Sequence, residues 1–251
     1  ILKYISEGPK KWKSITIRHL MTHSSGIPDY TSEEFDYSKN YSEEDLVEMA
    51  SKLDLEFSAG KRWNYSNTGY VLLGVIMSRV AKKPYWEYLD EHIFTPAGMH
   101  SIRINTEKDI VPNKAKGYIP SKEGYQHASY VAPITNTTAD GSMLLSLEDL
   151  LAWNSTVKNK MILKRKSWNL ILSPMKLNSG NNYPYGFGWF IEKKNEKTVH
   201  QHGGTWQGFT AQIFRFIEDE LEVLLLTNAR SIAAYELSLI HISEPTRLSV
   251  I

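Results

Sequence analysis

The sequence contains no cysteine, no long apolar run and no marked excess of charge of either sign. Without cysteine there are no disulfides, thiol nucleophiles, thiolate-bound metals or iron–sulfur clusters, although exported proteins can also lack cysteine. No apolar stretch approaches the roughly 18 residues that a membrane helix needs. We therefore expect no membrane span within this chain, and its cysteine content leaves the compartment open.

The charges are balanced, with 29 lysines and arginines against 28 aspartates and glutamates and a formal net charge of +1. Proteins that bind nucleic acids usually concentrate a basic excess on one face. The basic clusters here are short, as at Lys10–Lys13 and Lys164–Lys166. They are typical of solvated surface lysines, so we expect no nucleic-acid partner.

The 251 residues, 41% of them hydrophobic and 12% aromatic, are typical of one large globular domain or of one domain with an inserted lobe. The chain opens without methionine or a signal-peptide pattern, so we expect it to begin inside a longer protein or after processing. Residues 237–251 include LSLIHISEPTR, which resembles a translated sequencing-library adaptor. We interpret 1–236 as a partial domain and 237–251 as a non-native tail.

The spacing of apolar residues predicts helices before strands. Ser42 and Asp45 form a loose capping box in front of one helix. The predicted helices are Ser14–His23, Ser42–Leu53, Thr68–Ala81, Pro84–Ile93, Ser146–Lys158 and Trp168–Leu172. The predicted antiparallel strands are Tyr185–Glu192, Thr198–His202, Gly208–Phe216 and Glu222–Thr227. Between Ile102 and Pro133 we expect loops and short strands. This order predicts a mixed α/β protein of the α+β type.

Tyr65, Ser66 and Asn67 lie where a loop is predicted to enter a helix. A phenol there can act as a base if nearby cations lower its pKa. An amide two residues later can orient a substrate carbonyl or a catalytic ammonium. A structural turn is the alternative interpretation of this tripeptide.

His202, Gly203, Gly204 and Thr205 follow a predicted strand. Paired glycines allow a backbone to approach a ligand closely, and a strand edge can present N–H donors to an oxyanion. Trp206 and Phe209 can wall such a pocket or pack on the sheet. The alternative is a tight bend between two strands.

Two histidine pairs have spacings that zinc sites use, His19 with His23 and His200 with His202. The first pair lacks the glutamate that follows the first histidine in HExxH, and no acidic third ligand is close in sequence. We therefore expect hydrogen-bonded imidazoles rather than a metal centre. A zinc hydrolase stays as a third hypothesis.

Six segments in order carry a resemblance to a known family. They are LMTHSSGIPDY, FSAGKRWNYSNTGYVLLGVIM, HIFTPAGMHS, DGSMLLSLEDLLAW, YGFGW and HGGTWQGF. Together they resemble the β-lactamase-related serine hydrolases, which are similar to class C β-lactamases and D-alanyl-D-alanine carboxypeptidases. The resemblance covers roughly Ser14 to Asn228. It implies a β-lactamase/transpeptidase-like fold, in which helices flank an antiparallel sheet and a helical lobe is attached, here incomplete.

The resemblance also assigns roles. The family's Tyr-x-Asn motif maps onto Tyr65 and Asn67, and its His-x-Gly variant of the strand motif maps onto His202 and Gly204. The N–H of Thr205 would be one oxyanion donor. Gly203, Gly204 and Trp206 would contact substrate. Neither a metal nor a cofactor is implied.

The family's Ser-x-x-Lys motif, which carries the nucleophile, precedes the segment that matches LMTHSSG. We therefore expect the nucleophile to lie outside this chain and the chain alone to be inactive. Three internal pairs have the same spacing, Ser58/Lys61, Ser155/Lys158 and Ser173/Lys176. None is predicted to place its serine at the start of a stable helix, so we interpret all three as chance.

The sequence thus predicts part of a bacterial serine hydrolase that acts through an acyl-enzyme. An ester, a β-lactam or a D-alanyl peptide would be the substrate, a small molecule or a piece of peptidoglycan. The alternative is a non-catalytic binding or scaffolding homologue. The family resemblance favours a periplasmic or extracellular location, and the oligomeric state stays open.

Overall fold

The computed structural model describes residues 1–31, 35–106 and 109–230. Its elements follow the predicted order, with helices first and a sheet last. The α-helices are α1 (Ile17–Met21), α2 (Glu43–Lys52), α3 (Asn67–Ala81), α4 (Tyr85–Leu89), α5 (Thr95–Ala97), α6 (Leu147–Lys158) and α7 (Arg165–Ile171). A π-helical turn, Asp90–Phe94, joins α4 to α5, and 3-10 turns lie at Lys10–Trp12 and Pro133–Thr137.

Three of the helices, α1, α2 and α6, begin where polar side chains satisfy their first N–H groups. Ser42 and Asp45 form the predicted capping box of α2, in which each side chain binds the backbone N–H of the other. Ser146 and Asp149 cap α6 in the same way. Thr16, rather than the predicted Ser14, caps α1.

All strands of the described residues follow α5. The short ones are β1 (Arg103–Ile104), β2 (Tyr118–Ser121), β3 (Gly124–His127), β4 (Met143–Leu144), β5 (Met175–Lys176) and β6 (Asn182–Tyr183). The main sheet contains β7 (Phe190–Lys194), β8 (Lys197–Trp206), β9 (Phe209–Phe216) and β10 (Leu221–Thr227). All four strands are antiparallel, in the order β10-β9-β8-β7.

Two predictions about the strands are corrected. The predicted strand Tyr185–Glu192 begins only at Phe190, because Gly188 has φ +77° and a side chain on Gly186 would meet the carbonyl oxygen of Ile171. The HGGT segment is not a bend, since β8 continues through it as far as Trp206. The chain reverses instead at Gln207–Gly208, where both residues have positive φ.

The hydrophobic core has separate helical and sheet parts. The helical part includes Trp12, Leu20, Ile27, Val47, Leu72 and Val75, all at most 3% exposed. On one face of the sheet, Ile213 and Trp189 pack against Val157 of α6 and Trp168 of α7. Within the described ranges, no helix is both long and apolar enough to cross a bilayer. The proposed tail at 237–251 lies outside the described residues.

Candidate active site

The Tyr65 segment reaches its position through backbone hydrogen bonds to the segment that follows α1. The N–H of Asn64 donates to the carbonyl of His23 at 2.9 Å, and the N–H of Gly60 donates to the carbonyl of Ser24 at 2.8 Å. Ser66 then serves as the N-cap residue of α3, and Asn67 is its first residue. The loop-to-helix junction predicted for this tripeptide is confirmed.

The ring of Tyr65 stacks on the ring of His23, with centroids 4.1 Å apart, and lies 6.2 Å from the ring of His202. Burial raises the pKa of Tyr65 to about 12, and the carboxylates of Asp29 and Asp140 add to this. The prediction from the sequence required nearby cations to lower this pKa, whereas the charged groups that act on Tyr65 here are carboxylates. In this structure the phenol is therefore protonated at neutral pH.

Asn67 is held by the loop that precedes α2. Its side-chain Nδ2 donates to Oδ2 of Asp29 at 2.9 Å and lies 3.4 Å from Oγ1 of Thr31. The other carboxylate oxygen of Asp29 accepts the N–H of Thr31 at 3.1 Å. Because Asp29 is itself fixed by the backbone, the Asn67 amide has a defined orientation beside Tyr65.

His202 meets Tyr65 from the sheet side. It lies in β8, and its Nε2 is 3.3 Å from the hydroxyl of Tyr185. That hydroxyl is also 3.0 Å from Nε2 of His23. Burial lowers the pKa of His202 and lowers that of His23 to about 3, so both imidazoles are neutral at physiological pH.

The end of β8 presents an open edge. β7 pairs only with the first half of β8, up to Gln201. From Gly203 to Thr205, the described part of the chain supplies a strand partner on the β9 side alone. Gly204 and Thr205 are exposed. The outer edge of this stretch is thus accessible to a ligand.

The two glycines differ in what surrounds them. A side chain on Gly203 would place its Cβ 1.8 Å from Oε1 of Gln212, a buried residue on β9. A Cβ on Gly204 would meet no atom of the described residues within 4 Å. A side chain on the first glycine would force Gln212 to move, while the second glycine faces open space. At the end of the strand, the ring of Trp206 lies 5.5 Å from the ring of Tyr37 and borders this space.

The histidines that form zinc-like pairs in the sequence have separate surroundings in the structure. Nδ1 of His19 accepts the N–H of Thr16, whereas His23 turns inward to Tyr185. His200 is buried at the start of β8. Across the described ranges, no three histidine, aspartate or glutamate residues are grouped as metal ligands.

The internal Ser-x-x-Lys pairs are located elsewhere. Ser58 and Lys61 form a turn. Ser155 lies in the second half of α6, and Lys158 contacts Glu222. Ser173 follows α7 and donates to the carbonyl of Asn169. Within the described residues, no hydrogen bond, ion pair or ring contact joins these pairs to Tyr65, Asn67 or His202.

Three residues of the cluster were not predicted as site residues, namely His23, Asp29 and Tyr185. All three lie in segments that carried the family resemblance, LMTHSSGIPDY and YGFGW. For His23 the sequence favours a hydrogen-bonded imidazole over a zinc ligand, without linking it to Tyr65 or His202. Their positions in those segments were the available signal.

Comparisons with known proteins show the family of this chain. The family model described as Beta-lactamase matches residues 1–240. Penicillin-binding protein 4* of Bacillus subtilis is 30% identical over 93% of this chain and 55% of its own length. A D-aminopeptidase of Gluconobacter oxydans is 26% identical over 71% of this chain and 34% of its own length. The chain thus spans about half, or less, of the length of these curated relatives.

A solved structure shows the same fold. The penicillin-binding protein from Bacillus halodurans has a TM-score of 0.81 and 23% identity, covering 96% of this chain and 76% of its own. With the antiparallel sheet, the flanking helices and the match along nearly the whole sequence, the chain belongs to the Beta-lactamase family, whose members include serine hydrolases.

Proposed function

We propose that the protein carrying this chain is a serine hydrolase that cleaves an ester, a β-lactam or a D-alanyl peptide through an acyl-enzyme. A serine oxygen attacks the substrate carbonyl, and the leaving group departs with a proton. Water then attacks the acyl-serine and releases the acid. Tyr65 transfers the proton, and Asn67 orients the substrate. His202 lines the opposite wall, and the N–H of Thr205 binds the oxyanion.

The observation that carries the proposal is the meeting of two distant segments at an open strand edge. Tyr65 and His202 are 137 positions apart in sequence, yet their rings lie 6.2 Å apart. Beside them, Gly203–Thr205 has an accessible outer edge. Backbone N–H groups at such an edge can bind a developing oxyanion.

The nucleophile is proposed to come from outside residues 1–251, because the internal Ser-x-x-Lys pairs lie away from the site. A lysine ammonium beside Tyr65 and Asn67 would lower the raised pKa of the Tyr65 phenol. The carboxylates of Asp29 and Asp140 would in turn stabilise that ammonium. The proton-transfer role of Tyr65 therefore depends on the added lysine.

The named relatives indicate the substrate class. One is a penicillin-binding protein and one a D-aminopeptidase. Their names support substrates with β-lactam or D-amino acid character. Ester cleavage requires the same acyl transfer and stays within the proposal.

The test uses the whole protein. Benzylpenicillin, a p-nitrophenyl ester and a D-alanyl-D-alanine peptide are each supplied, and mass spectrometry looks for a covalent adduct on serine. We expect an adduct with at least one of them, together with turnover that Tyr65→Phe reduces and Tyr125→Phe, on an exposed strand, does not. A folded whole protein with no adduct and no turnover would favour the binding homologue.

A further inference from the structure

We propose that Tyr185 is a positioning residue of this site, whose hydroxyl connects His23 to His202 and holds His202 in the tautomer that carries its proton on Nδ1. The kinetic consequence rests on the proposed function, whereas the tautomer itself does not. A chain of hydrogen bonds leads to His202 and begins at the backbone amide of Ser66, which can only donate.

The first link is the N–H of Ser66, which donates to Nδ1 of His23 at 3.1 Å. A backbone N–H can only donate, so Nδ1 of His23 is the acceptor nitrogen. A neutral imidazole with an acceptor Nδ1 carries its proton on Nε2. Burial keeps the His23 ring neutral, with a pKa of about 3.

The second link runs from Nε2–H of His23 to the hydroxyl oxygen of Tyr185 at 3.0 Å. Both groups are buried, and Tyr185 is fully enclosed. A hydroxyl that accepts here keeps one hydrogen to donate. Nε2 of His202 lies 3.3 Å from the same oxygen and is a suitable acceptor. His202 then carries its own proton on Nδ1.

Tyr70 is the rival acceptor for the Tyr185 hydrogen. The two phenols interact, and the hydroxyl of Tyr70 donates its own hydrogen to the carbonyl of Met21 at 3.0 Å. An imidazole nitrogen is a stronger base than a phenol oxygen, so we assign the hydrogen to His202. The experiment below separates the two arrangements.

The chain of bonds connects the two parts of the site. His23 contacts Tyr65 through its ring face and Tyr185 through its ring edge. His23 also has a positive φ of 52°, an uncommon backbone conformation for a non-glycine residue. Its backbone carbonyl is bound by Asn64. The same ring therefore supports Tyr65 at the start of α3 and, through Tyr185, orients His202 in β8.

The matched variants are Tyr185→Phe, Tyr70→Phe and Tyr183→Phe. Each removes one hydroxyl and keeps the ring, and the ring of Tyr185 also packs edge-on against Phe190 at 4.8 Å. The hydroxyl of Tyr183 has no hydrogen-bond partner among the described residues, and its ring stacks on Trp63 with centroids 4.8 Å apart. Tyr183→Phe is therefore the control for removing a phenol oxygen in the same segment.

The measurement is long-range ¹H–¹⁵N NMR on the whole protein labelled in histidine, which distinguishes protonated from unprotonated ring nitrogens. Between pH 6 and 8 we expect His202 as the Nδ1–H tautomer and His23 as the Nε2–H tautomer. Tyr185→Phe should give a tautomer mixture at His202. Tyr70→Phe and Tyr183→Phe should leave His202 unchanged.

A wild-type His202 in the Nε2–H tautomer would overturn the proposal, even if the Tyr185→Phe protein did not fold. A change at His202 in Tyr70→Phe, or none in Tyr185→Phe, would overturn it as well. With the substrate found above, Tyr185→Phe should lower kcat about tenfold, the scale of one hydrogen bond, with little change in KM. The spectra need no substrate, so absent turnover would refute the proposed function and leave the tautomer result standing.

Discussion

The residues around Tyr65 and those at the end of β8 face each other across the site and are built differently. Tyr65 and Asn67 are fixed by stacking on His23 and by a bond to Asp29, within a buried aromatic cluster. Gly204 and Thr205 are exposed on a strand whose outer edge is accessible. The helical side is held rigidly by the protein, whereas the strand side offers backbone groups to a ligand. Substitutions on the two sides should therefore fail in different ways.

Tyr65→Phe should have the largest effect on turnover. It removes one oxygen, so packing against His23 stays while proton transfer is lost, a role worth about 100-fold to 10,000-fold. The measurement is kcat/KM of the whole protein, with circular dichroism as the check on folding. Retention of more than about half the activity would make Tyr65 a structural residue.

Gly203 and Gly204 are neighbours on one strand, and substitutions at the two positions should affect stability and activity differently. Gly204→Val points into open space, so it should leave stability nearly unchanged and reduce activity by about 100-fold, the scale of one oxyanion donor. A Cβ at Gly204 meets no described atom within 4 Å, so the strand can keep its path in this variant.

Gly203→Ala should show the opposite pattern. Its Cβ would displace Gln212, which donates to Oε1 of Gln201 at 3.1 Å. Such overpacking typically costs about 1–3 kcal/mol. Urea unfolding of both variants tests the contrast. A Gly204→Val protein less stable than Gly203→Ala would contradict the contrast between the two glycines.

The buried start of β8 should carry a pH dependence that its exposed end lacks. Burial lowers the pKa of His200 from 6.5 to about 4. Between these values the unfolded chain binds a proton that the folded protein does not, so this residue makes stability fall as the pH falls. The slope is at most about 1.4 kcal/mol per pH unit.

Glu43 has the opposite dependence, because burial raises its pKa to about 7. The test therefore measures, by urea unfolding, how much the free energy of unfolding falls from pH 7 to pH 5, and compares that loss between wild type and His200→Gln. We expect the variant to lose less stability than wild type on acidification. Exposed His127→Gln should behave like wild type. Equal losses in wild type and His200→Gln would refute the prediction.

Thr205→Ala should have the smallest effect. It keeps the N–H that is proposed to bind the oxyanion and changes an exposed side chain. Activity within about tenfold of wild type is expected, because losing an oxyanion donor would cost far more. A loss as large as that of Gly204→Val would assign the role to the Thr205 hydroxyl.

Local signals in the sequence predicted the regular elements well. The apolar spacing and the Ser42–Asp45 cap predicted α2, and short runs of β-branched and aromatic residues predicted β9 and β10 within one residue at each end. The prediction was wrong at Tyr185–Glu192, where aromatic residues imitate a strand but Gly186 and Gly188 fix a loop. It also missed the π-helical turn Asp90–Phe94 at the end of the predicted helix Pro84–Ile93.

The site could be predicted only in part. Tyr65, Asn67 and His202 followed from the family motifs. The His23–Tyr185 hydrogen bond joins residues 162 positions apart, and local spacing carries no information about such pairs. The raised pKa of Tyr65 depends first on burial and then on the carboxylates of Asp29 and Asp140, and both arise only in the folded protein.

The most direct test of the central claim, that Tyr65 and His202 serve one reacting centre, is a double-mutant cycle in the whole protein. kcat/KM is measured for Tyr65→Phe, His202→Ala and the double variant, all confirmed as folded. Residues that act as a unit lose activity non-additively. We predict that the double variant is about as impaired as the worse single variant. Losses that multiply in full would show that the two residues act independently, and would contradict the account.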